Sequence, residues 1–150
     1  MADGNSQIVL EVTQVWRGKD SEGEDHPLHW ALTFKTAGKD DQQIGNRYTV
    51  AGNTDTYCYE VVKDVPLRDE TWRGSLSVGR IPAEAIPRFE RLLAQIPVTR
   101  YDPSWNSQNW VWASLRELRN AGFSIEPILS WSRLRSDMYD LLEAWERGDI

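Results

Sequence analysis

The sequence predicts an α+β domain, with an antiparallel sheet of about five strands followed by three helices. Two observations carry this. Apolar and polar residues alternate in short runs through the first half, and apolar residues recur at helical spacing through the second. A third sets the organisation: no repeat, low-complexity tract or linker divides the 150 residues, a length that suits one domain over 1–150.

The first strand runs from Ile8-Val9-Leu10 through the alternation Glu11 to Trp16. Residues 17–27, rich in Gly, Asp and Glu, read as an exposed loop in which His26 is solvated. His29 to Phe34 is a second strand, Arg47 to Ala51 a third, Tyr57 to Val62 a fourth and Ser75 to Ile81 a fifth. Pro82 then opens a helix, because proline is tolerated in a first turn. Ile86, Phe89, Leu92, Leu93 and Ile96 form its apolar face, and Pro97 stops it. A second helix spans about Asn106 to Asn120, with Val111, Leu115 and Leu118 on one face and Gly122 as its stop. An amphipathic third helix covers roughly 130–147, with Ser130 or Ser132 as its cap.

Composition narrows the function. Net charge is −6 with the acids spread along the chain, which disfavours nucleic acid and anionic membrane surfaces, since both need a basic face. No run reaches the length of a membrane span, and residues 1–7 are polar, so a cytoplasmic location is expected. A single cysteine, Cys58, excludes an intrachain disulfide; its strand-like neighbours predict a buried structural thiol. Eight tryptophans fill a small core or wall an apolar pocket. Neither the two histidines nor any Cys/Asp/Glu spacing forms a metal site, no glycine-rich phosphate loop is present, and no cofactor is expected.

Two local patterns bear chemistry. One is His29-Trp30-Ala31-Leu32, followed after a turn by Tyr48-Thr49-Val50; the other is Asn106-Ser107-Gln108-Asn109-Trp110-Val111 at a helix start. A nucleophile at a helix N-terminus meets the positive end of the dipole and free backbone N–H groups that can receive an oxyanion. A histidine at a neighbouring strand start can act as its base. Ser107 equally suits a helix N-cap, and His29 alone suits a structural hydrogen bond.

In order and spacing these motifs resemble the permuted papain-like proteins of the lecithin–retinol acyltransferase and NlpC-type group. That group carries a His-Trp-Ala-hydrophobic strand, a Tyr-Val-Val-His-like strand and Asn-Cys-Glu-His-Phe-Val opening a helix. Small, largely uncharacterised fungal proteins with Asn-Cys-Gln-x-Trp-Val are closer still. The resemblance covers about 8–122 and implies a papain-like core there. It implies that His29 is the base, that Ser107 stands where a cysteine nucleophile belongs, and that Ala51 falls where the acyltransferases keep a second histidine.

Both departures have consequences. A thiol forms a thiolate beside imidazole, whereas a serine hydroxyl is far less acidic and needs its proton removed during attack. Without a second histidine, Asn53 or Asp55 would have to orient His29. Trp30, Trp105, Gln108 and Trp110 flank the site as candidate pocket residues.

Three functions follow. One is an acyl hydrolase or acyltransferase with Ser107 as nucleophile and His29 as base. Another is a non-catalytic relative that binds a small apolar molecule or a peptide. The last is a biosynthetic cyclase or isomerase using His29 as acid/base in a tryptophan-lined pocket.

Overall fold

The computed structural model describes residues 6–150. It is α+β, with one six-stranded antiparallel sheet and three helices. In chain order the elements are β1 (Gln7–Val15), β2 (His29–Ala37), β3 (Ile44–Ala51), β4 (Cys58–Pro66) and β5 (Trp72–Pro82). Then come α1 (Ile86–Leu93), α2 (Ser107–Asn120), β6 (Ser124–Ile125) and α3 (Trp131–Glu146). The sheet order is β4-β3-β2-β1-β5-β6.

The five expected strands are present. The sixth, Ser124–Ile125, is two residues long and pairs with Gly79 and Arg80 of β5. Such a pairing leaves no alternation to read. The first helix starts later than expected: a 3-10 turn covers Ala83–Ala85, and α1 begins at Ile86 with Pro87 in its first turn. Asn106, not Ser107, caps α2, and Ser130 caps α3 by accepting the Arg133 N–H at 3.1 Å.

Strand alternation divides the sheet into two faces. Leu10 and Val12 of β1, Trp30, Leu32 and Phe34 of β2, and Tyr48 and Val50 of β3 are buried with Phe89, Leu93, Trp110, Leu115, Leu118, Leu134 and Met138 of the helices. Tyr48 Oη donates to Glu90 Oε2 at 2.5 Å, which ties β3 to α1.

The other face is polar. Thr13 Oγ1 lies 2.8 Å from both Thr33 Oγ1 and Ser75 Oγ, a hydroxyl chain across three strands. Residues 67–71 must pass from β4 to β5, which β3, β2 and β1 separate. Leu67 and Asp69 of that connector line a cavity of about 200 Å³ together with Thr13, His29, Thr33 and Thr49. The connector is thus a strap over the polar face.

The expectation for Cys58 is corrected: it is exposed. It opens β4, the edge strand, most of whose side chains face outward. His26 is exposed, in the loop that Lys19 and Asp25 pin with a 3.1 Å ion pair.

Candidate functional site

The site sits where β2 and β3 part. The two strands pair from Leu32↔Tyr48 onward to Ala37↔Ile44, and Trp30 lies two residues beyond the last registered partner. Trp30 therefore needs other partners for its N–H and C=O on that side. Two hydroxyls supply them. Ser107 Oγ accepts the Trp30 N–H at 3.1 Å, and Thr49 Oγ1 donates to the Trp30 carbonyl oxygen at 2.8 Å. Thr49 Oγ1 also lies 3.0 Å from His29 Nε2.

These partners favour one His29 tautomer. Thr49 has one hydroxyl proton, and a carbonyl oxygen can only accept. With that proton on the shorter contact, to the Trp30 carbonyl oxygen, His29 Nε2 is the donor to Thr49. His29 Nδ1 then carries the lone pair, and it is buried without a partner among the described residues. Burial first, and then the positive charges of Arg17 and Arg47, push the imidazole pKa down to about 4. It is a neutral, oriented and weakly basic ring at neutral pH.

Ser107 is 2 % exposed, at the first turn of α2. It is held beside the amide that joins His29 to Trp30, so the structure brings both residues to one peptide unit. No hydrogen bond joins the Ser107 hydroxyl to the His29 ring: Ser107 Oγ accepts from Trp30, the ring meets Thr49, and the two residues line different cavities. A reciprocal cap completes the helix start. Asn106 Oδ1 accepts the Gln108 N–H at 2.9 Å, and Asn109 Oδ1 accepts the Asn106 N–H at 2.9 Å. That cap consumes a backbone donor that an oxyanion would otherwise use.

The orienting residue is Thr49, not Asn53 or Asp55. Asn53 Oδ1 accepts the Asp55 N–H at 3.0 Å and the Thr56 hydroxyl at 3.2 Å, so it closes its own turn. Asp55 is exposed in that turn. Ala51, at the end of β3, pairs with Cys58.

Ser107 opens on a cavity of about 240 Å³ that Trp105, Tyr57, Arg17, His26 and Asn53 also line. Trp105 and Tyr57 meet edge to face, with ring centroids 5.4 Å apart. Trp30 and Gln108 line a different, larger groove against α3. Gln108 Nε2 also donates to the Leu28 carbonyl oxygen at 2.9 Å, anchoring the approach to β2. Trp110 lines neither: it is fully buried in the core against Tyr59. Of the four candidate pocket tryptophan and glutamine positions, three thus face cavities and one packs.

Among the described residues, no group of three or more His, Cys, Asp or Glu is placed to hold a metal ion, and no helix is long and apolar enough to cross a membrane.

No curated protein and no solved structure matches the chain. A family described as a family of unknown function, DUF6540, matches residues 16–124. That span holds His29, Thr49 and Ser107 and ends before α3. The chain belongs to the DUF6540 family.

Proposed function

We propose that this chain is a binding relative of the papain-like acyl-transfer enzymes, holding a small apolar molecule or a peptide at the Ser107 cavity without forming a covalent bond to it. The observation that carries this reading is that the buried Ser107 hydroxyl accepts the Trp30 N–H, makes no hydrogen bond to His29, and lines a different cavity from the His29 ring.

Chemistry points the same way. A serine hydroxyl attacks only as a base removes its proton. An imidazole with a pKa near 4 has little driving force for that transfer. The α2 cap also takes the Gln108 N–H away from oxyanion duty. What persists is a cavity walled by Trp105 and Tyr57, with the neutral His29 ring turned to the separate cavity under the strap. Those groups recognise an apolar body with a few polar atoms.

The test is labelling with a serine-reactive fluorophosphonate, comparing the native chain with Ser107→Ala and His29→Ala. The binding reading expects no label on any of the three. Label on the native chain that disappears in both variants would overturn it and establish an acyl hydrolase or acyltransferase with Ser107 as nucleophile and His29 as base.

A further inference from the structure

The groove between α3 and the sheet is a second candidate site, and its wall chemistry selects a ligand class. It has a volume of about 450 Å³. That lies within the roughly 300–1,000 Å³ of typical small-ligand pockets. Leu28, Trp30, Met138 and Leu142 form an apolar wall. Arg135, with the Ser132 and Ser136 hydroxyls, forms a polar one along α3.

Charge marks this groove. It is lined by one cation and by no carboxylate, in a chain of net charge −6. The Ser107 cavity shares that trait, but there the one arginine, Arg17, donates to the Gly52 carbonyl oxygen at 3.0 Å. Arg135 donates no hydrogen bond among the described residues. Two other sizeable grooves carry both signs: one is lined by Arg116 and Glu117, the other by Arg73, Asp25 and Glu146. Arg135 makes no ion pair among the described residues, whereas its neighbour Arg133 is paired to Asp137 at 3.2 Å. The Arg135 guanidinium lies 5.4 Å from the ring centre of Trp131, one turn earlier on α3.

A second, independent observation concerns Trp30. It is 3 % exposed, and its indole N–H is buried with no acceptor among the described residues. Buried tryptophan N–H groups ordinarily find one. The Gln14 amide nitrogen spends both its N–H groups on the Arg73 and Met138 carbonyl oxygens, while Gln108 spends one on Leu28. The groove therefore offers an unpaired cation and an apolar wall to which Trp30 contributes. A carboxylate on an apolar body matches both.

We propose that this groove binds a carboxylate-bearing amphiphile, with Arg135 as the anchor for the acid and Leu28, Trp30, Met138 and Leu142 as the seat for the apolar body. This site is distinct from the Ser107 cavity and stands whatever the fluorophosphonate result, because neither Ser107 nor His29 lines it. Its α3 wall lies outside the residues that match the family, so the site is formed only by a chain that carries α3.

The experiment is calorimetric titration of the full chain with dodecanoate, dodecanol and dodecylammonium, each below its micelle concentration. Saturable one-to-one binding is expected for dodecanoate, weaker binding for dodecanol and the weakest for dodecylammonium. Arg135→Gln is expected to weaken dodecanoate by about tenfold, the scale of a lost charge-assisted contact, while leaving dodecanol unchanged. Arg91→Gln, on exposed α1 surface, removes the same charge elsewhere and is expected to change neither. Arg135→Lys keeps the charge and is expected to retain most of the dodecanoate affinity. Equal binding of the anionic and cationic amphiphiles by the native chain would overturn the proposal without recourse to any variant. So would the absence of saturable dodecanoate binding, or equal effects of Arg135→Gln and Arg91→Gln.

Discussion

Thr49 holds His29: its hydroxyl oxygen lies 3.0 Å from His29 Nε2 and 2.8 Å from the Trp30 carbonyl oxygen. One hydroxyl thereby bridges the imidazole to the backbone where β2 and β3 part, and leaves Nδ1 as the ring's lone-pair nitrogen. Thr49→Val keeps the shape and removes the bridge. It strands a carbonyl oxygen and an imidazole N–H, and is expected to cost about 1–3 kcal/mol. Urea unfolding measures the loss. Nitrogen-15 NMR of the native chain is expected to show the Nε2–H tautomer at neutral pH; an Nδ1–H tautomer would break the assignment.

The same ring makes stability fall on mild acidification. His29 has a folded pKa near 4 against an ordinary value of 6.5. Above pH 6.5 the ring is neutral in both states and contributes no pH dependence. Between about 6.5 and 4 the unfolded chain binds a proton that the folded chain refuses, so stability drops as pH falls through that window. Below about 4 the loss is complete, at up to roughly 3 kcal/mol. Carboxylates titrate at the lower end of the window too, so the comparison is with His29→Gln. The native chain is expected to lose more stability than His29→Gln between pH 7 and pH 4.5, measured by urea midpoints at each pH.

Ser107 is expected to behave as a structural acceptor. Ser107→Ala leaves the buried Trp30 N–H without a partner and should cost about 1–3 kcal/mol. Ser107→Cys tests what the surroundings do to a better nucleophile. It is made in a Cys58→Ser background, because Cys58 is exposed and would react first. Because residue 107 is buried and the weakly basic His29 ring lines another cavity, alkylation by iodoacetamide is expected to keep a midpoint at or above the ordinary thiol value of about 8.5. Adding His29→Ala should leave that midpoint unchanged. A midpoint below that value that His29→Ala restores would show that His29 reaches the residue at 107.

These contrasts show what local pattern can and cannot deliver. The start of β2 at His29 and the span of α2 follow from periodicity, because each is set by neighbours in the chain. Thr49 could not be singled out as the partner of His29, because that contact depends on how β2 and β3 part, and sequence spacing does not report strand separation. Asn53 looked equally able, yet its carbonyl oxygen is used within its own turn. Helical phase explains the tryptophans: Trp110 points inward with Val111 and Ser114, while Trp105 precedes the helix and stays at the cavity. Cys58 misled because strand propensity says nothing about edge position.

Gly45 is where the sheet tolerates least change. It lies in β3 opposite Lys35, at the register shift between Lys35 and Ala37. A Cβ placed there would stand 2.0 Å from the Phe34 carbonyl oxygen and 2.8 Å from Leu67 Cδ1. The leucine tip can turn aside, but the carbonyl belongs to the β2 backbone and cannot. Gly45→Ala therefore forces β2 and β3 apart and pushes Leu67, the first residue of the strap, off the sheet. The cost is expected at or above the top of the roughly 1–3 kcal/mol typical of overpacking. Because Leu67 also lines the His29 cavity, the effect should reach the ring: amide hydrogen exchange along β3 and the 67–71 strap should quicken together. Faster exchange in β3 with an unchanged strap would show that the two are not mechanically coupled.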